Sequence, residues 1–209
     1  MLKDNAKQLM LQVRESYRLL YQYQERIIDL VDFIGRKYGL TYNGGYPKFS
    51  WAAPRNGSGD LNRWAWDWLN MYFYEFNFKR MTIDKEGFYD FSIFLVNDTG
   101  FFKANEQERI LKTSVSDYAD TNDSESHLIF VVGKDYWEGW GYNWDEPEFM
   151  LQEQGEKFEN GDKNKKMFFK HYPIETFSCE EDALTNIKDF ETLCIQKGYD
   201  LRICNPLKK

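Results

Sequence analysis

The sequence predicts an α+β fold: a mostly antiparallel sheet of about five strands, with a long N-terminal helix, a short second helix and a C-terminal helix on one face. Three observations support this prediction. Apolar residues near the N-terminus recur at alternating steps of three and four. Strand-like runs then follow one another instead of alternating with helices, which favours antiparallel pairing. An Asn-Gly pair separates the last two runs, as in tight hairpins.

The long helix is predicted from about Asp4 to Tyr38, within residues 1–39 of a single domain that spans residues 1–209. Its seam consists of Met10, Val13, Tyr17, Leu20, Gln24, Ile27, Val31, Ile34 and Tyr38. Gly39 is predicted to be the C-terminal cap, because glycine accepts a positive φ angle. A helix of this length either packs across the sheet or projects in part and forms a homodimer. Gln24 fits both outcomes, since one polar seam residue can fix the register of a helix pair.

The segment after this helix is predicted to be irregular. Residues 42–59 are rich in glycine, proline and asparagine, which are typical of turns and loops. Ser58 or Asp60 is then placed to cap a short helix that ends near Trp68, because either side-chain oxygen can accept a bond from an unpaired backbone N–H group.

Strands and the last helix follow. Aromatic and β-branched residues are frequent in five runs, which cover residues 71–78, 88–96, 128–132, 149–158 and 163–172. The polar residues 114–126 are predicted to form a loop. Ser178 is predicted to cap the C-terminal helix, which runs to about Lys197 and ends at Gly198.

Composition and charge limit the class of protein. A formal net charge of −7 and a pI near 5.0 argue against general nucleic-acid binding, which requires a basic surface. The N-terminus does not have the pattern of a signal peptide, and we find no apolar run long enough to span a membrane. Three cysteines late in the chain, without a Cys-x-x-Cys pair, are typical of reduced thiols. We therefore expect a cytoplasmic protein without membrane association.

Aromatic residues make up 18% of the chain, and most of its seven tryptophans fall in two clusters. The first cluster contains Trp51 and the run from Trp64 to Trp68. The second lies in a glycine-punctuated, acidic segment with the pattern of a surface loop. Large rings on such a loop either pack over the core or anchor a binding partner. The predicted partner-binding residues are Trp137, Trp140, Tyr142, Trp144 and Arg55.

These features favour a binding module that presents an acidic, Trp-rich surface to a protein partner; an inhibitor or immunity-type protein is one such module. An alternative is a metal-assisted hydrolase, with Asp60, Asp90 and Asp98 as candidate catalytic residues. A sensor that binds a small ligand in an aromatic pocket is a third hypothesis. Only two histidines are present, His127 and His171. For the binding module we expect no metal and no cofactor.

Overall fold

The structure of the protein is a computed structural model, which describes residues 2–49, 71–78, 81–83, 87–106, 113–136 and 150–204. All seven tryptophans lie outside these ranges, as do Arg55, Asp60, Tyr142 and the predicted short helix that ends near Trp68. Within the described ranges the α+β fold is confirmed.

The helices and strands alternate little along the chain, as predicted. Their bounds are α1 (Leu2–Lys37), β1 (Tyr42–Pro47), β2 (Phe73–Phe78), β3 (Met81–Ile83), β4 (Gly87–Val96), α2 (Gly100–Asn105), β5 (His127–Lys134), β6 (Gln154–Glu159), β7 (Asp162–Pro173) and α3 (Glu180–Gln196). Two short 3-10 turns cover Val115–Asp117 and Ile174–Phe177.

The strands form one antiparallel sheet in the order β1-β2-β4-β5-β7-β6, and β3 also pairs with β4. The described residues thus contribute seven strands, whereas the sequence predicted about five. The β6–β7 hairpin turns at Asn160 and Gly161, whose φ angles are +49° and +79°. Two successive positive φ angles match the twist of the flanking strands, which is why Asn-Gly predicted this hairpin correctly.

Three local predictions differ from the structure. Residues of the predicted loop 42–59 form β1, because Gly45 lets the strand pass close to β2: a Cβ atom there would lie 2.3 Å from the Glu75 carbonyl oxygen. A short helix, α2, begins at Gly100, within a segment for which no helix was predicted. The N-cap of α3 is Cys179 instead of Ser178, whose hydroxyl donates to the Asp182 carboxylate.

Helices α1 and α3 cover one face of the sheet. The apolar seam of α1 is buried from Ile27 to Tyr38, against rings of β2, β4 and β5 and against α3. Gly35 permits this close packing, since a Cβ atom at that position would lie 2.4 Å from the Phe78 ring. Gly39, at φ +69°, ends α1: its N–H donates to Arg36 and that of Leu40 donates to Gly35.

Helix α2 covers the opposite face of the sheet. Phe101 and Phe102 pack there with Phe73, Phe94 and Phe169 in a second apolar cluster. The sheet is therefore buried on both faces, which explains why β4 and β5 are apolar almost throughout. In the part of the chain that the structure describes, no helix is both long and apolar enough to cross a membrane.

Candidate functional site

Helix α1 continues beyond the body of the protein at its N-terminal end. Every side chain over residues 5–22, which we call the arm, is exposed. At 1.5 Å per residue, the arm extends roughly 27 Å. Its exposed apolar residues are Leu9, Met10, Leu11, Val13, Tyr17, Leu19, Leu20 and Tyr21. Six of these eight residues share one side of the helix, whereas Leu11 and Leu19 lie on the other side. A contiguous apolar set of this size is typical of an interaction surface.

A groove lies at the base of the arm, at one end of the sheet. The register brings the ends of four strands into line there: Phe73 pairs with Val96, Val96 with His127, and His127 with Pro173. The residues just beyond these ends therefore converge, although they are far apart in sequence. With α1 they enclose a cavity of about 440 Å³ lined by Leu20, Tyr23, Gln24, Met71, Tyr72, Asn97, Ser126, Ile174 and Glu175.

Asn97 connects the walls of this groove. Its side-chain Oδ1 accepts a hydrogen bond from the Tyr23 hydroxyl of α1, and its Nδ2 donates to the Met71 carbonyl at 2.7 Å. Its own carbonyl accepts from the Ser126 hydroxyl at 2.7 Å. Burial raises the pKa of Tyr23 to about 12, so that its hydroxyl stays protonated and donates at neutral pH. One amide thus fixes the base of the arm relative to two strands.

A second, adjoining cavity of about 330 Å³ extends the groove toward an acidic rim. Asp98 lies there, where its Oδ2 accepts from the Tyr72 hydroxyl and its Oδ1 from the Gly100 N–H, at 2.7 and 2.8 Å. Burial, followed by the bond to Asp98, raises the pKa of Tyr72. Glu125 and Glu175 also line this part of the groove, and both are exposed. The rim therefore presents carboxylates to whatever lies in the groove.

The two histidines of the chain meet beside this rim. Nδ1 of His127 and Nδ1 of His171 are 3.2 Å apart, and Nε2 of His127 lies 3.0 Å from a Glu125 carboxylate oxygen. When Nε2–H of His127 donates to Glu125, Nδ1 of His127 is the acceptor and His171 donates to it. His127 thereby holds the Glu125 side chain at the edge of the groove.

A separate polar patch is buried on the α2 face of the sheet. Glu75 is 0% exposed, Asn77 and Ser92 lie beside it on β2 and β4, and Asp90 follows Ser92 on the same face of β4, further from Glu75. The Ser92 hydroxyl is 2.6 Å from Asn77 Oδ1 and 3.4 Å from a Glu75 carboxylate oxygen. Carboxylates buried on a sheet face require polar partners and are frequent at functional sites.

The candidate catalytic carboxylates of the sequence lie in different places. Asp90 is buried within β4, whereas Asp98 follows the end of that strand in a turn. The strand from Asp90 to the end of β4 at Val96 alone spans roughly 20 Å, so these two carboxylates do not share one site. Asp60 and the predicted partner-binding residues lie outside the described residues. Among the described residues, no three His, Cys, Asp or Glu side chains are arranged to hold a metal ion.

The sequence did not predict the groove, because its residues come from four turns whose proximity depends on strand register. One sequence signal did point to it: each lining turn carries polar or aromatic residues directly beside the end of a strand. The seam spacing predicted the long helix but left open whether it packs across the sheet or projects in part, and the exposure of residues 5–22 decides for partial projection.

A comparison with family models identifies the relationship of this chain. The matching model is described as PM0109 and covers residues 3–201, so the chain belongs to the PM0109 family. The arm and the groove both lie within the matched range. No curated protein and no solved structure matches the chain.

Proposed function

We propose that this protein is an interaction module that binds another protein chain through the arm of α1. The uncovered apolar surface of residues 5–22 carries the proposal. The packed half of α1 nucleates the arm, but most helical stability in proteins comes from packing of an apolar face, and the exposed apolar side chains of the arm do not contribute such packing. A partner that covers the apolar side removes that surface from water and stabilises the helix. Helix docking through such a face is a common mode of protein recognition.

Charge separates the arm from the rest of the molecule. Residues 1–22 contain four basic and two acidic side chains, a net charge of +2, whereas the whole chain carries −7. Residues 23–209 therefore carry −9. A partner segment that binds the arm should have an apolar centre surrounded by acidic residues. A partner that binds the acidic body should have a basic surface. An enzyme with a basic active site would provide one, and the present protein would then be its inhibitor or immunity-type protein.

The Trp-rich segments belong to this proposal as predicted contacts. Trp137, Trp140, Tyr142, Trp144 and Arg55 combine large rings with a cation, the residue types that dominate binding energy in interfaces. Substitution of Trp140 and Trp144 by alanine tests them. Loss of the partner with an unchanged unfolding transition supports a contact role, whereas a lost unfolding transition assigns both rings to the core.

The experiment on the arm uses a matched pair of double variants. Tyr17→Glu with Leu20→Glu places two charges in the seam, and Gln8→Glu with Gln22→Glu places the same charges on the opposite side of the helix. Each protein is purified gently from its own cells and studied by native mass spectrometry. We expect a stoichiometric additional protein chain on the wild type and the control, and its loss from the seam variant. A bare wild-type monomer, or retention by the seam variant, contradicts the proposal.

A second candidate function, hydrolysis through carboxylates, is favoured by one observation. Glu75 and Asp90 are buried on the same face of the sheet beside Ser92. We expect Glu75→Gln to abolish any hydrolysis of activated phosphodiesters or aryl glycosides, because the amide cannot transfer a proton. Equal rates for wild type and Glu75→Gln would exclude this role.

A further inference from the structure

The seam of α1 is one continuous stripe that meets two different environments. Its C-terminal members Ile27, Val31 and Ile34 are at most 4% exposed, because they pack against the sheet. Its N-terminal members continue the same three-and-four spacing in the arm. There the exposed fractions are 48% at Met10, 37% at Val13, 72% at Tyr17 and 39% at Leu20. The arm therefore continues the apolar stripe that packs on the sheet, and its own part of the stripe is exposed.

The body of the protein limits how a second helix can approach this stripe. From Tyr23 onward the seam side of α1 is occupied: Tyr23 bonds to Asn97, and Gly35 lies against Phe78. If a second copy paired its seam in parallel, the folded bodies of both copies would occupy the same space at the C-terminal end of the two helices. If it paired in antiparallel orientation, its body would lie beyond the N-terminal tip of the first arm, where there is room. The geometry therefore permits an antiparallel pair and opposes a parallel one.

Charge complementarity applies at the end of such a pair. In the antiparallel arrangement, the first turns of each arm run toward the base of the other arm, where the groove opens. In the first turns of the arm, residues 5–11, the one charged side chain is that of Lys7, whereas Arg14, Glu15 and Arg18 lie in the middle of the arm. The groove rim carries Asp98, Glu125 and Glu175. Opposite charges thus meet at both ends of the pair, because a two-fold arrangement repeats each contact.

We infer, building on the proposed function, that the protein bound by the arm is a second copy of this chain. The two arms pair in antiparallel orientation through Met10, Val13, Tyr17 and Leu20, and the first turns of each arm lie in the groove of the other copy. The paired seam from Met10 to Leu20 spans about one and a half heptads, which is short for a coiled coil alone. The groove adds contact area at each end, so each groove is completed by residues of the other chain. The arrangement closes on itself and gives a dimer instead of a filament.

Sedimentation equilibrium of the full chain tests the pairing over a wide range of concentration. We expect a reversible dimer for the wild type and for Gln8→Glu/Gln22→Glu, and a monomer for Tyr17→Glu/Leu20→Glu. A seam variant that still dimerises, with folding confirmed by circular dichroism, overturns the inference. So does a monomeric wild type. If that monomer still binds a different protein through the arm, the proposed function survives while the second copy is excluded.

Charge reversal at the groove tests its contact with the arm. Glu175→Lys lies in the groove, and Asp29→Lys makes the same change on an exposed position of α1 away from the seam. We expect Glu175→Lys to raise the dimer Kd roughly tenfold, as when one close charge pair becomes repulsive, and Asp29→Lys to leave it nearly unchanged. Equal effects of the two variants contradict a specific contact in the groove.

Spin labels at position 5 distinguish the two orientations. Asn5→Cys, which leaves Lys7 in place, is labelled in a chain in which the exposed Cys179 and Cys204 are replaced by serine. An antiparallel pair places the two labels at opposite ends, separated by nearly the length of the arms, whereas a parallel pair places them about 10 Å apart. Dipolar spectroscopy is expected to show the long distance. A short distance overturns the antiparallel arrangement.

Discussion

Tyr23 and Asn97, 74 positions apart in the chain, are joined by a hydrogen bond at the point where α1 leaves the sheet. The bond connects the helix to the end of β4, and Asn97 makes further hydrogen bonds to the Met71 carbonyl and the Ser126 hydroxyl. The arm therefore begins at a defined hydrogen-bonded base. Its direction is set by contacts of the body and not by the arm itself.

Removal of the Tyr23 hydroxyl is expected to lower stability modestly. Tyr23→Phe loses one partly buried hydrogen bond, which contributes about 1 kcal/mol to the free energy of unfolding. Asn97→Ala is expected to cost more, because the Tyr23 hydroxyl and the Met71 carbonyl both lose a partner. Urea unfolding measures both. Tyr17→Phe is the control, since Tyr17 is 72% exposed; a loss equal to that of Tyr23→Phe would contradict a specific role for the bond.

Gly35→Ala is expected to destabilise the protein although alanine is the better helix former. The intrinsic gain from glycine to alanine in a helix is about 1 kcal/mol, whereas overpacking costs about 1–3 kcal/mol. The new Cβ atom would lie 2.4 Å from the Phe78 ring, so we expect the steric cost to exceed the gain. Thermal unfolding measures the difference. Phe78→Leu in the same chain makes room for the new Cβ atom. If the double variant loses as much stability as the two single variants together, the result would argue against this contact.

The three cysteines are expected to react in two classes. Cys179 and Cys204 are exposed, whereas Cys194 of α3 is 0% exposed. Burial, with a smaller contribution from Glu191, raises the pKa of the Cys194 thiol, which further lowers its thiolate fraction. Alkylation of the native protein followed by mass spectrometry should label two cysteines rapidly and the third only on unfolding. Rapid labelling of Cys194 under native conditions would contradict its place in the core.

Stability is expected to fall above pH 10 because of buried tyrosines. Burial, and for Tyr172 also the bond to Asp189, raises the pKa values of Tyr38 and Tyr172 above the ordinary value of 10.0. Below pH 10 both states keep these protons and the stabilisation is complete. Above it the unfolded state loses them first, so stability declines by about 1.4 kcal/mol per pH unit for each such tyrosine.

Urea unfolding at a series of alkaline pH values measures this slope. Tyr172→Phe removes one of the contributing groups, so its slope should be shallower than that of the wild type. Tyr42→Phe, at a side chain that is 50% exposed, is the comparison. An identical slope in wild type and Tyr172→Phe would mean that the Tyr172 proton does not contribute.

Local signals predicted those parts of the fold that local physics controls. The seam spacing predicted α1, and Asn160–Gly161 predicted the β6–β7 hairpin, because helix periodicity and turn dihedral angles are properties of neighbouring residues. Strand β1 was predicted as a loop, since Gly44, Gly45 and Pro47 are typical of turns. Its pairing depends on how closely β2 approaches, which the sequence of β1 alone does not reveal.

The candidate site was harder to predict, because proximity across a sheet depends on register. Asp90 and Asp98 are close in sequence but lie at different levels of the sheet, whereas Tyr72 and Asp98 are distant in sequence and form a hydrogen bond. Residues that meet through aligned strand ends carry no shared local pattern. The exposed half of α1 could be inferred only as one of two outcomes, since a three-and-four seam fits a sheet and a second helix equally well.

The close packing of Gly35 on Phe78 has a mechanical consequence for the arm. A helix clamped along one half behaves as a lever, with its fulcrum near Tyr23 and roughly 27 Å of unsupported length beyond it. A tilt of only about 5° at the fulcrum displaces the tip by roughly 2 Å, which is enough to move a side chain out of hydrogen-bonding range. The packing of a buried glycine in the C-terminal half of α1 thus determines the position of the side chains at the tip of the arm, which it does not contact.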